Sequence, residues 1–188
     1  MIRPSFSSWT LFSIGLLLAG AAWTWASRAD PADVTGGAIP APQTGFLAPE
    51  FTLNDLDGQP VELAGLRGKA VLVNVWASWC GPCRAEMPAM QRVYQDYRER
   101  GLVILGVNAA NQDNPDQARS FIAEQGLTFP ILLDERGQVS ELYAVRSLPT
   151  SFFIDPQGMI QEVIIGGPMS EALLRIRVEA LLPAEEPR

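Results

Sequence analysis

The chain has 188 residues, 47% apolar and 19% charged, which supplies a core and argues against global disorder. Its formal net charge of −7 argues against a nucleic-acid partner, which rewards basic faces. With no histidine in the sequence, imidazole general bases, histidine metal ligands and cysteine–histidine nucleophile pairs are excluded.

The first element is a membrane or targeting segment. Trp9 to Ala26 is an uncharged stretch that includes "LFSIGLLLAGAAW". As a helix it would span roughly 27 Å, close to a bilayer core. Two readings compete: a signal anchor retained over residues 1–28, or a signal peptide cleaved near Ser27-Arg28-Ala29. The length of the apolar run favours the anchor. Arg3 and Arg28 flank it, one on each side, so the charge bias that orients it is weak. Both readings place the remainder outside the cytoplasm, where disulfides persist. Residues 29–47 include "DPADVTGGAIPAPQ", rich in Pro, Gly and Ala, and read as a flexible spacer. Residues 48–183 form the folded domain and 184–188 a polar tail.

Within the domain, "FTLNDLDGQPVEL" predicts a hairpin turning at Asp57-Gly58. "AVLVNVWA" (Ala70 to Ala77) predicts a central strand buried on both faces. A helix follows from Cys80 to Arg100, with Met87, Met90, Val93, Tyr94 and Tyr97 on one face and Gly101 as its stop; Pro88 inside it predicts a kink. "LVILGVN" is the next buried strand. Asn114 caps a helix with Pro115 at its first position and Gln117 closing a capping box. "FPILLD" predicts a strand and "QVSELYAV" a short helix. "TSFFID" and "MIQEVIIGG" form an antiparallel hairpin through "DPQG", and Ser170 caps a last helix to Leu182. The order β-β-β-α-β-α-β-α-β-β-α implies an α/β domain whose mixed sheet carries helices on both faces.

The two cysteines, Cys80 and Cys83, directly follow the central strand and open a helix. Positions i and i+3 of a helix are neighbours at a separation that suits a disulfide. Cys80 at the helix start meets free backbone N–H groups and the positive dipole end, which lower a thiol pKa. It is therefore the attacking sulfur, and Cys83, one turn in, resolves the mixed disulfide. Pro82 stiffens the Gly81-Pro82 dipeptide between them. A structural disulfide closing so short a loop adds little stability, and zinc wants four ligands where this chain offers two cysteines. A redox-active pair fits best, with no metal and no cofactor.

"WASWCGPCRAEMP" and "LPTSFFIDPQG" resemble the two signatures of thioredoxin-fold proteins. "APEFTLNDLDGQPVELAGLRGKAVLVNVW" and "FPILLDERGQVSELYAVRSLPT" narrow the resemblance to the membrane-anchored TlpA/ResA-type thiol-disulfide oxidoreductases, over Ala48 to Leu182. The resemblance implies a thioredoxin fold with an N-terminal β-hairpin and a central insertion over Asn108 to Leu127.

It also implies roles for single residues. Pro149 matches the family's cis-proline, and Leu148 the position whose backbone pairs with substrate. Trp79 matches a tryptophan shielding the disulfide, whereas Trp76 belongs to the core. Gly81 and Pro82 join Trp79, Leu148 and Pro149 as substrate-contacting positions. Glu86, three residues after Cys83, matches a glutamate that influences cysteine protonation. Asn74 stands where cytosolic thioredoxins carry a buried aspartate; it cannot titrate, so Glu86 would take over that work or nothing does.

The direction of electron flow is not set by sequence: reduction potentials on this fold run from about −270 mV for thioredoxin to about −120 mV for a periplasmic oxidant. The Gly-Pro dipeptide and the resemblance lean toward a reductant at the cell membrane, its domain on the extracytoplasmic side. An integral membrane donor of the CcdA/DsbD type would recharge it. Its protein disulfide substrates would be apocytochrome c, in cytochrome c biogenesis, or the cysteine pair of a copper site. Three rivals stand beside it. A thiol peroxidase of the AhpC/TSA type wants Thr or Ser where this chain has Ala77. A copper-site maturation factor that works as a copper-binding chaperone pairs two cysteines with a histidine, which this chain lacks. A general disulfide oxidant differs by potential.

Overall fold

The computed structural model describes residues 13–20, 23 and 39–182. It divides into two units, Met1–Thr35 and Gly36–Arg188. In the first, residues 13–20 and 23 are helical and exposed. No helix among the described residues is long and apolar enough to cross a membrane. Most of the expected anchor over 1–28, and the tail 184–188, lie outside the described residues.

The second unit begins with a hairpin, β1 (Thr52–Asn54) and β2 (Pro60–Glu62). Then follow β3 (Ala70–Trp76), α1 (Gly81–Tyr97), β4 (Leu102–Asn108), α2 (Pro115–Gln125), β5 (Ile131–Leu133), α3 (Gln138–Leu142), β6 (Thr150–Ile154), β7 (Ile160–Ile165) and α4 (Glu171–Leu181). This is the expected order. The five-stranded sheet runs β5-β4-β3-β6-β7, with β3 parallel to β4 and antiparallel to β6.

Every residue of β3 is buried, which explains why its sequence is a continuous apolar run. Strand parity sorts that run onto two faces. Val71, Val73 and Val75 pack with the N-terminal hairpin, Val139 of α3 and Tyr143. Leu72 and Trp76 pack with Met87, Met90 and Val93 of α1, Phe121 of α2, and Leu174 and Val178 of α4. Asn74 shares their parity, so the strand aims one amide at the α1 face.

Several element ends differ from expectation. The helix after the cysteines runs through Pro88 as one element and tightens into a 3-10 turn over Arg98–Arg100 before Gly101. Asn114 does cap α2, accepting from the N–H groups of Asp116 and Gln117. The capping box does not form, because the Asn114 N–H goes to Asp113 Oδ1 at 2.8 Å. Residues 40–47, placed in the spacer by composition, are pinned to the domain. Gly45 donates to the Ile160 carbonyl, Ala48 to that of Gly158, and Leu47 bridges Met159.

Candidate active site

The site forms where β3 ends and α1 begins, because a buried strand hands the chain directly to a helix start there. Cys80 is the N-terminal cap of α1, and its Sγ accepts the Cys83 N–H at 3.2 Å. The two cysteines form a disulfide, with Cα atoms 5.3 Å apart. Both sulfur residues are buried, Cys80 at 4% exposure and Cys83 at 0%, so the slightly exposed Cys80 is the one a partner reaches first. In the reduced state the same N–H would face a Cys80 thiolate, and a charge-assisted bond at a helix N-terminus stabilises that anion.

Gly81 and Pro82 lie exposed in the first turn. Trp79 is exposed, and its indole N–H donates to the Gln112 carbonyl at 3.0 Å. Trp76, by contrast, is fully buried against Phe121, ring centroids 5.7 Å apart. Leu148 is half-buried and Pro149 buried, and the peptide between them is cis, as the resemblance implied.

Glu86 is fully buried. Oε1 accepts the Asn74 side-chain N–H at 2.8 Å, and Oε2 accepts the Met169 N–H at 3.0 Å. Burial raises its pKa above the ordinary carboxylate value, opposed by the hydrogen bonds from Met169 and Asn74. Asn74 also reaches Ser151 Oγ at 2.8 Å. Gly167 lies between Glu86 and Pro149: a methyl group built on it would fall 2.7 Å from Glu86 Oε2 and 2.8 Å from Pro149 Cγ. The structure thus brings Glu86 beside Pro149, residues that the sequence separates widely.

Sequence reasoning missed Ser151, Gly167 and Met169 around Glu86, and Ser78, Gln112 and Asp113 around the turn before Cys80. None belongs to a local pattern. Each matters through a hydrogen bond or close approach to a residue far along the chain.

A cysteine pair one helical turn apart, at the switch from a central strand to a helix in this mixed sheet, defines a thiol-disulfide oxidoreductase of the thioredoxin fold. Residues 44–163 match the family model of the AhpC/TSA family. The chain is 42% identical over 132 residues to the thiol-disulfide oxidoreductase ResA of Bacillus thuringiensis (strain Al Hakam), covering 70% of this chain and 75% of that one. With ResA of Bacillus subtilis (strain 168) the identity is 36% over 141 residues, covering 75% and 77%. A crystal structure of a thioredoxin-family thiol:disulfide interchange protein from Chlorobium tepidum superposes with a TM-score of 0.68 at 30% identity, covering 78% of this chain and 99% of that one. The chain belongs to the AhpC/TSA family and, within the thioredoxin fold, to the ResA-type thiol-disulfide oxidoreductases.

Proposed function

We propose that this oxidoreductase works as a reductant, held at the cell membrane with its domain on the extracytoplasmic side, and that it serves cytochrome c biogenesis. The observation that carries the dithiol exchange is the Cys80 sulfur at the α1 N-terminus, taking the Cys83 N–H, in a chain similar to ResA over most of its length. The reductive direction is what the Gly81-Pro82 dipeptide and that similarity lean toward. The Cys80 thiolate attacks one sulfur of a client disulfide, forming a mixed disulfide and releasing one client thiolate. The Cys83 thiolate then attacks Cys80 Sγ, expels the second client thiolate and closes the Cys80–Cys83 disulfide. Two electrons pass to the client, whose two thiolates take up the protons that the protein's thiols release. We read Glu86, buried near Pro149 and on the helical face of Cys83, as the group that holds or relays one of those protons.

The client is an apocytochrome c cysteine pair, with a copper-site pair as the other candidate. An integral membrane donor of the CcdA/DsbD type returns the electrons. The reading is tested by the equilibrium of the pair with glutathione and by reduction of a disulfide-bonded Cys-x-x-Cys-His peptide. A potential near that of thioredoxin and prompt peptide reduction support it; a potential near about −120 mV overturns it in favour of an oxidant.

The family match favours one rival, a thiol peroxidase. Ala77 gives the site no hydroxyl at the position a peroxidatic cysteine wants, and it is fully buried. Consumption of hydrogen peroxide with thioredoxin-type recycling, faster than peptide reduction, would replace the reductase reading.

A further inference from the structure

Between β4 and α2 the chain turns back on the redox centre through Asp113, which takes no part in the dithiol chemistry above. Its carboxylate collects four donors. Oδ2 accepts the Ser78 N–H at 2.6 Å and the Asn108 side-chain N–H at 2.7 Å. Oδ1 accepts the Ser78 hydroxyl and the Asn114 N–H at 2.8 Å. Ser78 and Asn108 are buried, at 4% and 1% exposure. Burial opposes ionisation of Asp113, but the hydrogen bonds from Ser78, Asn108 and Asn114 outweigh it and hold the carboxyl below its ordinary pKa, so it is a charge at neutral pH.

The bland account makes Asp113 part of the α2 cap. Asn114 already fills that place, accepting the N–H groups of Asp116 and Gln117. Three of the four donors to Asp113 lie outside α2 and its cap residue, and two belong to Ser78, two residues before Cys80. Trp79 is tied to the same segment through Gln112, and the Cys80 N–H closes onto the Ala77 carbonyl at 3.2 Å. So Ser78, Trp79 and Cys80 are each held, the first two by residues of the inserted segment.

We propose that Asp113 is a positioning residue for the redox centre, an anionic anchor on the inserted segment that clamps Ser78 and so fixes the turn presenting Trp79 and Cys80 to a client disulfide. The proposal rests on Cys80 being the attacking thiol. Two effects follow. Sulfur exchange needs the incoming thiolate in line with the disulfide, so a loosened turn slows attack. A fixed negative charge near Cys80 also disfavours its thiolate, so removing that charge favours the reduced protein and makes the potential less negative.

The test uses the full chain in detergent. It measures the rate at which the reduced protein reacts with dithiobis(nitrobenzoate) and its equilibrium with glutathione. Asp113→Ala should slow the reaction by roughly tenfold or more. Asp113→Asn keeps the shape and one acceptor oxygen; it should shift the glutathione equilibrium about threefold toward the reduced form, about 14 mV. A merely structural Asp113 would leave that equilibrium alone. Wild-type rate in folded Asp113→Ala together with wild-type equilibrium in Asp113→Asn overturns the proposal. Should the Ala variant not fold, the equilibrium of the Asn variant decides alone. Failure of the wild type to react at all would instead overturn the assignment of Cys80.

Discussion

Asn74 donates its side-chain N–H to Glu86 Oε1 at 2.8 Å, a contact buried between the central strand and the active-site helix. It pairs a group that cannot titrate with one that can. Asn74→Asp would set a second carboxyl against the first, and two carboxylates that close cannot both ionise. We expect the pair to share a proton near neutral pH. Stability should then fall more steeply with rising pH than in the wild type, by about 2 kcal/mol or more at pH 8. Urea unfolding at several pH values measures this, and a curve parallel to that of the wild type rejects it.

Glu86 itself should make the wild type pH-dependent. Its pKa is raised in the folded state, chiefly by burial. Above the ordinary carboxylate pKa the unfolded chain has released this proton while the folded chain still holds it. Unfolding then releases a proton, so stability is full below that pKa and declines as pH rises through the folded-state value. Glu86→Gln should flatten this decline. Its amide oxygen can still accept from Met169, and its NH₂ can donate to Asn74 Oδ1, which has no hydrogen-bond partner among the described residues. If Glu86 also works on the thiols, the same variant lowers the midpoint of thiol alkylation against pH, because a nearby negative charge is gone. An unmoved midpoint would reduce Glu86 to a structural group.

The roles of the two cysteines separate by trapping. Cys83→Ser leaves the attacking thiol but removes the resolving one, so mixing it with an oxidised client should accumulate a covalent complex that dithiothreitol releases. Cys80→Ser should form none, since its remaining thiol is fully buried. Equal trapping by both variants would contradict the order of attack. In either variant, loss of the short disulfide should change stability little by chain entropy, so a lost activity is chemical.

The order of elements was legible in the sequence because hydrophobic runs, caps and turn residues act locally. The run Ala70 to Trp76 declared a strand buried on both faces, and Asn114 declared a helix start. Cys80, Cys83 and the cis-proline were legible for the same reason, as compact signatures. The burial of Glu86 agrees with its spacing, three residues after the buried Cys83 and one before the buried Met87. Its partners did not: Met169 is 83 residues away, and no periodicity points to a backbone N–H. Asp113 and Ser78, 35 residues apart, were hidden likewise. Composition also misjudged residues 40–47, since Pro and Gly report local freedom and not the strand edge that a segment meets.

Gly167 offers the sharpest test of how tightly the site is built. A Cβ there would lie 2.7 Å from Glu86 Oε2 and 2.8 Å from Pro149 Cγ, closer than real Cβ atoms approach anything. Neither neighbour is the free end of a flexible chain. The carboxylate is held by Asn74 and Met169, and the Pro149 carbonyl accepts the Gly166 N–H at 2.8 Å. Gly167→Ala must therefore push the proline away from the site or break a buried hydrogen bond to Glu86. We expect a loss of about 1–3 kcal/mol in urea unfolding, with slower reaction of Cys80 with a client disulfide. Gly65→Ala is the control, because nothing lies within 4 Å of a Cβ there and its effect should stay within about 0.5 kcal/mol. Equal stability of the two variants would mean that the packing of Glu86 and Pro149 around Gly167 yields at no cost, and that its geometry does not constrain the chemistry.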